Sequence, residues 1–437
     1  GTANTPAFSA TGTVVVQGGT VTGANTILPQ TMSFGSEAVY ESAASTYNSA
    51  AFDSDSNRVV IAYTDGGNSD NGTAVVGTVS GTSISWGTPV VFDGSPHGAF
   101  YNSATFDSNS NKVVIAYQDA GNSMHGTSII GTVSGTSISF GTPVIFEAAE
   151  VYDISTSFDS TANKVVIAYR DAGNSMYGTA IVGTVSGTSI SYGTAVVFES
   201  AESKWITSTY DANADRTVIA YMDDPNSDYG TAIVGTVSGT AISFGTAVVF
   251  NAAESTYLSS TYDSTAQKVV ISYMDGGSSP SNKGTAIVGT VSGTTISFGT
   301  EVVFNVASSN SMSNVYYTSA NKVVIAYQET SKGYALTGTV SGTTVSFDTP
   351  VVFNNIDTSN ISTAYNSTDN KIIIAYKDTG NSNYGTGIVG TFGDDTFTVG
   401  SKYYVTPAGS YSTVAGTPSV NAGLATSTTQ LLLNGDS

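Results

Sequence analysis

Short apolar runs of strand length recur along the chain, separated by stretches rich in Gly, Ser, Thr and Asn. The clearest run is VVIAY, which returns with small changes at spacings of 49 to 54 residues. Its copies end at Tyr63, Tyr117, Tyr169, Tyr221, Tyr273, Tyr327 and Tyr376. Because the run is apolar at every position, it predicts a strand that is covered on both faces. No window has helical spacing of apolar residues with flanking caps, so the period favours an all-β repeat fold.

Each repeat divides into four predicted strands, and the second copy shows them most plainly. Its strands are predicted at Ser103–Asp107, Lys112–Asp119, Thr127–Val133 and Ser137–Glu147. Turn-forming Ser, Asn and Gly residues separate the strands, and Gly141 marks a bulge within the last one. Four strands in a repeat of about 50 residues are typical of a β-propeller blade.

The repeat begins and ends out of phase, and this offset predicts how a ring would close. Met32–Glu41 matches the fourth strand of the other copies, yet it precedes the first complete set of strands. Ser362–Phe392 supplies strands one to three of a last copy whose fourth strand is missing. We expect the N-terminal segment to complete that last blade, because closure removes an exposed sheet edge. The predicted fold is all-β: a seven-bladed β-propeller closed by an N-terminal strand that completes the last blade, with a small C-terminal β module.

The two ends of the chain depart from the repeat. Gly12–Val21 predicts a short β hairpin or arm, whereas Lys402–Thr413 and Thr429–Asp436 predict short strands and turns. The predicted domains are an N-terminal β arm over 1–30, the seven-bladed propeller over 31–392 and a small C-terminal β module over 393–437. The chain starts at Gly1 rather than Met, which leaves a processed terminus or a longer parent protein open.

The composition argues against several classes of partner. The chain carries 33 acidic against 13 basic residues, a net charge of −20, and only 11% of its residues are charged. This balance argues against binding to nucleic acid or to anionic membrane surfaces, since both attract basic patches. No apolar run approaches the roughly 18 residues of a membrane span, so membrane insertion is not expected. The absence of cysteine excludes disulfides, thiolate metal sites and a cysteine nucleophile.

One face of the predicted ring varies among the copies more than the other. The loops after strands two and four meet on this face, which we call the variable face, and binding residues concentrate on loops that a rigid scaffold holds. The candidate ligand-binding residues are aromatic and lie just before the first strand of their copies. They are Tyr47, Tyr101, Tyr152, Trp205 and Tyr257. Tyr152 is shifted in its copy, and the sixth and seventh copies offer Ser311 and Asn360 instead. Two interpretations stay open: stacking platforms for sugars, or rings that pack between adjacent blades.

An acidic residue closes the second strand of every copy. Six of these residues are weak candidates for a Ca²⁺ site, because oxygen-rich loops on a rigid frame suit that ion. They are Asp65, Asp119, Asp171, Asp223, Asp275 and Asp378. None shows the alternating carboxylates of a dedicated calcium loop, which favours turns in which each Asp accepts backbone N–H groups. No cofactor is therefore required by the sequence.

The residues that catalysis would need do not form a recognisable set. Motifs for a serine nucleophile, a phosphate loop or a zinc protease are missing, and His97 and His125 lack a third ligand at metal-site spacing. A glycosidase needs two carboxylates about 5 to 10 Å apart, whereas the acids here recur with the repeat. Arg58, Arg170 and Arg216 do not form a triplet at equivalent positions, so they predict no anion clamp. We therefore expect a protein that is not an enzyme.

Two segments resemble proteins of bacteriophage particles. The repeat KVVIAYRDAGNSMYGTAIVGTVSGTSISYGTAVVFES (Lys164–Ser200) is similar to propeller repeats in predicted structural proteins of marine phages. Val399–Gly435 resembles a module at the ends of phage tail-fibre and other virion proteins, and Thr11–Thr22 is in the same style. The resemblance implies a location on the virion surface or otherwise outside the cell, other virion proteins as partners, and adsorption to a host. It implies no site residue.

These observations favour a non-enzymatic virion surface protein that recognises a host-surface glycan through the variable face. A purely structural virion component, either a capsid decoration or a tail collar, explains the same pattern without a glycan. A secreted bacterial adhesin and a polysaccharide depolymerase are further hypotheses. The ligand, the place in the particle and the oligomeric state, including a homo-oligomer, stay open.

Overall fold

The described part of the chain is almost entirely β-sheet. The structure is a computed structural model that describes residues 32–94, 98–277 and 282–392 in full, and the backbone of seven short strands in the terminal segments. The all-β class predicted from the sequence is confirmed. The chain divides into two compact bodies, Phe34–Thr391 and a body that combines Gly1–Ser33 with Phe392–Ser437. Among the described residues, no helix has the length and apolar character of a membrane span.

The larger body consists of seven consecutive antiparallel groups of strands, which we number units 1 to 7. The first strands are Ala38–Asp53, Ala99–Asp107, Val144–Asp159, Val196–Asp211, Val248–Asp263, Asn310–Tyr317 and Thr358–Asn366. The second strands are Arg58–Asp65, Lys112–Asp119, Lys164–Asp171, Arg216–Asp223, Lys268–Asp275, Lys322–Glu329 and Lys371–Asp378. The third strands are Asn71–Ser80, His125–Ser134, Tyr177–Ser186, Tyr229–Ser238, Lys283–Ser292, Lys332–Ser341 and Tyr384–Phe392.

Two shorter segments pair with each third strand. The fourth strands of units 1 to 6 are Ser83–Trp86, Ser137–Phe140, Ser189–Tyr192, Ala241–Phe244, Thr295–Phe298 and Thr344–Phe347, and that of unit 7 is Met32–Phe34. The fifth strands of units 1, 5 and 6 are Val90–Asp93, Val302–Ser308 and Val351–Asn354. In the other four units the fifth strand is the first half of the next unit's first strand. The connections between these units and the next ones were expected to be loops. Instead, the fifth strand of one unit and the first strand of the next form one extended strand of 16 residues.

The remaining elements are short. The 3₁₀ helices are Ala120–Asn122, Ala172–Asn174, Asp224–Asn226, Thr318–Ala320 and Thr379–Asn381. The terminal strands are Ser9–Ala10, Val15–Val16, Asn25–Thr26, Lys402–Val405, Tyr411–Ser412, Val420–Ser427 and Gln430–Leu433. The hairpin predicted over Gly12–Val21 lies largely outside the described residues, and within it Val15–Val16 pairs in parallel with Gln430–Leu433. The N-terminal strand thus shares a sheet with the C-terminal strands.

A glycine interrupts the outer edge of most units. In unit 2, residues 141–143 separate the fourth strand from the fifth, and Gly141, predicted as a bulge, lies at this break. A Cβ atom on Gly141 would come within 1.9 Å of the carbonyl oxygen of Thr188 in the next unit. Glycines with the same environment are Gly35, Gly87, Gly193, Gly245 and Gly299. Close approach of two backbones therefore explains why glycine recurs here.

Strand pairing joins the first unit to the last. Tyr384–Phe392 of unit 7 pairs antiparallel with the start of Ala38–Asp53, with Thr386 opposite Val39. It also pairs with Met32–Phe34. The N-terminal segment therefore supplies the outer strands of unit 7 before the chain builds unit 1, which is the pairing that the phase offset predicts.

Hydrogen bonds between side chain and backbone connect the first strands of successive units. In each case a Ser or Thr hydroxyl oxygen accepts the backbone N–H of a residue in the next unit, over 2.9 to 3.1 Å. The donor–acceptor pairs are Ala104–Ser49, Thr156–Ser103, Ser208–Ser155, Ser260–Thr207, Asn314–Ser259, Thr363–Ser313 and Ala50–Ser362. Since the last pair returns from unit 7 to unit 1, the bonds form a closed circuit.

The second strands form the core and place one fully buried tyrosine in each unit. Each of these rings contacts an aromatic ring on the last strand of the preceding unit, with centroids 5.2 to 5.3 Å apart. Such pairs contribute about 0.5–1.5 kcal/mol each beyond the buried area. Tyr63 of unit 1 contacts Tyr40 on the strand that completes unit 7, so this packing also joins the two ends.

Carboxyl groups lie partly buried beside the core tyrosines. Tyr63 donates a hydrogen bond to Glu41, and Tyr169 donates one to Glu147, each over 3.0 Å. Burial raises the pKa of both glutamates and that of Asp65, because the charged carboxylate loses hydration. The folded protein therefore binds protons more tightly at these groups than the unfolded chain does.

We expect Gly141→Ala to lower the free energy of unfolding by about 1–3 kcal/mol, because the new methyl group overlaps the Thr188 carbonyl and neighbouring units must separate. Urea unfolding measures the change. Gly94→Ala is the matched control, since a Cβ there meets only Val91 at an ordinary 3.8 Å. Equal stability of the Gly141→Ala variant and the unaltered protein would contradict the close approach.

We also expect stability to fall as the pH rises above about 4, the ordinary pKa of these carboxyl groups. A carboxyl group with a raised folded-state pKa stabilises fully below its ordinary pKa, about 4, and loses this effect as the pH rises through the raised value. Urea unfolding at constant ionic strength provides the measurement. Glu41→Gln and Glu147→Gln keep an acceptor for the tyrosine hydroxyls and should flatten the pH dependence. A free energy of unfolding that increases over this range would contradict the assignment.

Candidate ligand-binding face

The candidate aromatic residues lie at a bulge that recurs in the first strand of every unit. In unit 1, Thr46 lies opposite Thr64, and the register shifts before Ser49 lies opposite Ala62. Tyr47 lies within this shift and has a left-handed conformation, with φ 49°. The seven equivalent residues, which we call the bulge residues, have φ between 47° and 53° and are Tyr47, Tyr101, Asp153, Trp205, Tyr257, Ser311 and Asn360. Such a bulge redirects the side chain relative to the regular ladder.

The left-handed conformation is unfavourable for most bulge residues. A positive φ at a bulky side chain is an outlier, and such strain costs of the order of 1–3 kcal/mol unless surrounding contacts fix it. The hydroxyl circuit lies two residues further along each strand, for example at Ser49 after Tyr47 and at Thr207 after Trp205. These interstrand bonds hold the chain on the C-terminal side of each bulge.

The third unit has its aromatic residue shifted by one position, in line with the shift noted in the sequence. Asp153, with φ 47°, occupies the bulge position, and the predicted Tyr152 precedes it by one residue. Asp adopts the left-handed region more readily than Tyr, because its short polar side chain can form local hydrogen bonds. The sequence comparison followed the aromatic ring, whereas the backbone selects the aspartate. Ser311 and Asn360, expected in the sixth and seventh units, occupy the bulge position there.

The five candidate aromatic residues form two clusters. Tyr101 contacts Tyr47 with ring centroids 4.9 Å apart, and contacts Tyr152 edge-on at 5.6 Å. Trp205 contacts Tyr257 at 4.3 Å with the rings tilted by 40°. All five side chains are half-buried, so part of each remains accessible to solvent. The rings thus pack between neighbouring units and also contribute aromatic surface to the variable face.

A polar bulge residue precedes each aromatic cluster. The side-chain oxygen of Asn360 accepts the backbone N–H of Tyr47 over 2.9 Å. At the equivalent place in unit 4, the backbone N–H of Trp205 acts on the Asp153 carboxyl and opposes the rise of its pKa on burial. In both places a polar side chain of one unit therefore interacts with the bulge of the next.

An ion-pair network, which the sequence analysis missed, surrounds Trp205. Arg170 pairs with Asp153 over 3.1 Å and with Glu202 over 3.2 Å. Lys204 pairs with Glu202 over 3.4 Å and with Asp224 over 2.6 Å. Four of the five ion pairs found among the described residues belong to this network. The one signal in the sequence is the presence of two of the scarce basic residues, Arg170 and Lys204, in neighbouring units.

The electrostatics of this network follow from burial and pairing. Burial raises the pKa of Asp153, and the adjacent Arg170 opposes that rise. The hydrogen bond from Lys204 lowers the pKa of Asp224, and the same bond raises the pKa of Lys204. Charges of opposite sign thus alternate along the network, and each basic group is shared by two carboxylates.

The aspartates that close the second strands act in turns. In five of them the carboxylate accepts a backbone N–H group two or three residues further on, over 2.9 to 3.2 Å. These five are Asp65, Asp119, Asp171, Asp275 and Asp378. Asp223 occupies the same position before the helix Asp224–Asn226. Within the described residues, no three Asp, Glu or His side chains are grouped in a way that could hold a metal ion. His125 begins the third strand of unit 2, and His97 lies outside the described residues.

Comparison with known proteins identifies the fold. No protein family model matches the chain, and no curated protein matches it. A lectin, BP39L from Burkholderia pseudomallei, has a similar structure, with a TM-score of 0.61, 10% identity, and coverage of 87% of this chain and 100% of that one. A protein of unknown function from Dyadobacter fermentans has a TM-score of 0.51, 12% identity, and coverage of 84% and 100%. At these identities the similarity shows a shared all-β fold.

Proposed function

We propose that this protein is a closed seven-bladed β-propeller that binds glycans and is not an enzyme. Two contacts repeated in every unit support the ring, namely the hydroxyl circuit and the interunit tyrosine packing. The completion of unit 7 by the N-terminal strand supports it as well. A ring of this kind places the bulge residues of all units around one face. Each unit is then one blade.

The observation that carries the binding proposal is the pair of half-buried aromatic clusters on the variable face. Aromatic rings offer flat apolar surface to the C–H groups of a sugar, while neighbouring polar groups select its hydroxyls. Trp205 and Tyr257 lie beside Lys204 and Glu202, so both kinds of group are present together. The description of BP39L as a lectin is in keeping with this proposal.

The ionic groups suit binding better than catalysis. Asp153 and Glu202 are an irregular carboxylate pair, but both are held in ion pairs with Arg170, over 3.1 and 3.2 Å. Glycoside hydrolysis requires one of two carboxyl groups to be protonated. The network therefore acts as a fixed charged frame around the aromatic residues.

The location follows from the phage resemblance and from the acidic composition. A net charge of −20 favours solubility of the protein, including in salt water. The protein then lies on the exterior of a virion, where other virion proteins anchor it and the variable face meets a host glycan.

A purely structural role in the virion is the second candidate. The favouring observation is that rings of neighbouring units contact each other, as Tyr47 and Tyr101 do at 4.9 Å. In that case the aromatic clusters serve only as packing between blades, and no glycan is bound.

We expect Trp205→Ala and Tyr257→Ala each to weaken glycan binding by roughly ten-fold or more, as loss of an aromatic anchor does. A glycan array and binding to host cells, with the full chain, provide the measurement. Tyr262→Ala is the matched control, because Tyr262 is also half-buried and lies on the same strand as Tyr257, five residues further on.

Measurements with and without Ca²⁺ should agree, because the candidate aspartates are engaged in turns. Folded protein that binds no glycan would overturn the proposal in favour of the structural role. Binding that Trp205→Ala and Tyr257→Ala leave intact would remove the aromatic cluster as its site.

A further inference from the structure

The two polar bulge residues perform the same task with different chemistry. Asn360 is neutral, and its amide oxygen accepts the N–H of Tyr47 over 2.9 Å. Asp153 is acidic and occupies the equivalent bulge position, and the backbone N–H of Trp205 opposes the rise of its pKa on burial. A neutral side chain is therefore sufficient to hold the next bulge, and the charge at Asp153 requires a separate explanation.

The charge of Asp153 is compensated by one basic group. The side chains of Asp153 and Arg170 are only 17% and 15% exposed, and their charged atoms lie 3.1 Å apart. The guanidinium group also lies 4.6 Å from the ring centre of Tyr152, and it pairs with Glu202. Three contacts thus fix Arg170 between units 3 and 4. A carboxylate this far removed from water is costly unless it is paired.

The same network reaches Trp205 from its other side. Lys204, the residue before Trp205, pairs with Glu202 and Asp224. Lys204 lies opposite Met222 in the ladder, and the register shift that contains Trp205 follows at once. The backbone N–H of Trp205 therefore interacts with Asp153, and the ion pairs of Lys204 hold the residue before it.

We propose that Arg170 is a positioning residue for the Trp205–Tyr257 cluster: by compensating Asp153, it holds Trp205 in the left-handed bulge and sets its ring against Tyr257. This inference concerns the site named in the proposed function and rests on it only for the role in binding. The positional claim concerns the protein without ligand and can be tested without one.

Tryptophan fluorescence provides that test, because the chain has two tryptophans. Trp86→Phe leaves Trp205 as the single emitter. Trp86 belongs to the fourth strand of unit 1, away from the network. In this background, Arg170→Met should shift Trp205 emission to the red, lower its anisotropy and increase its quenching by acrylamide. The physical reason is that an unpaired, poorly hydrated Asp153 will move toward water and release the Trp205 N–H.

A rescue variant separates positioning from simple packing. Asp153→Asn, added to Arg170→Met, removes the uncompensated charge and retains an acceptor of the kind that Asn360 provides. We expect it to restore the emission, anisotropy and quenching of Trp205 toward the values of the Trp86→Phe background. Lys322→Met is the matched control, since it removes a separate ion pair with Asp348 and should leave Trp205 emission unchanged.

Unfolding by urea identifies variants that have lost global stability. If Arg170→Met fails to fold, the single variant Asp153→Asn keeps the test open, and it should leave the emission of Trp205 near that of the Trp86→Phe background. Trp205 emission that does not respond to Arg170→Met in folded protein would overturn the proposal. Failure of Asp153→Asn to rescue it would do so as well, because Arg170 would then act by packing on Tyr152. Neither result depends on whether a glycan binds.

Discussion

The architecture depends on the bond between a hydroxyl group of one first strand and a backbone N–H of the next. A repeated sheet could pack against its neighbour in several registers, since its core contacts are apolar and not directional. The hydroxyl bonds remove that freedom, because each joins one side-chain oxygen to one backbone N–H over about 3 Å. An example is the Ser155 hydroxyl oxygen, which accepts the N–H of Ser208. As the circuit returns from Ser362 to Ala50, no unit can shift without breaking a bond in two places.

This constraint has a functional consequence at the bulge residues. Each bulge lies two residues before a member of the circuit, so the fixed register also fixes where the bulge side chain emerges. The backbone conformation is then nearly the same in all seven units, with φ varying by only a few degrees. Binding chemistry can change through the side chain alone. The bulge residue is aromatic in four units, and it is Asp153, Ser311 or Asn360 in the other three.

The asymmetry is greatest between units 3 and 4. Arg170 and Lys204 are two of only 13 basic residues, and both belong to one network beside Trp205. A repeated fold would not require them there, because the other units build the same turns without them. The repeated contacts are therefore supplemented by charge in one place, beside Trp205.

Periodicity was sufficient to predict the second and third strands and the N-terminal segment that pairs with unit 7, because these depend on patterns within one repeat. Features that depend on contacts between repeats were less accessible. The bulge in each first strand was not predicted, and in unit 3 it places Asp153, rather than the ring of Tyr152, at the equivalent position. The partnership of Arg170 with Asp153 and Glu202 was missed because the three residues lie on separate strands or strand segments. The extended connections were predicted as loops, since their Ala, Ser and Glu residues have low strand propensity.

Glycan binding beside Trp205 is tested most directly by titrating the Trp86→Phe variant with a glycan that the array identifies. Binding is monitored through the fluorescence emission of Trp205 and, in parallel, by calorimetry. We predict a saturable change in emission whose midpoint equals the dissociation constant from calorimetry. Heat of binding without any change in Trp205 emission would contradict the claim, because the ligand would then occupy another part of the molecule.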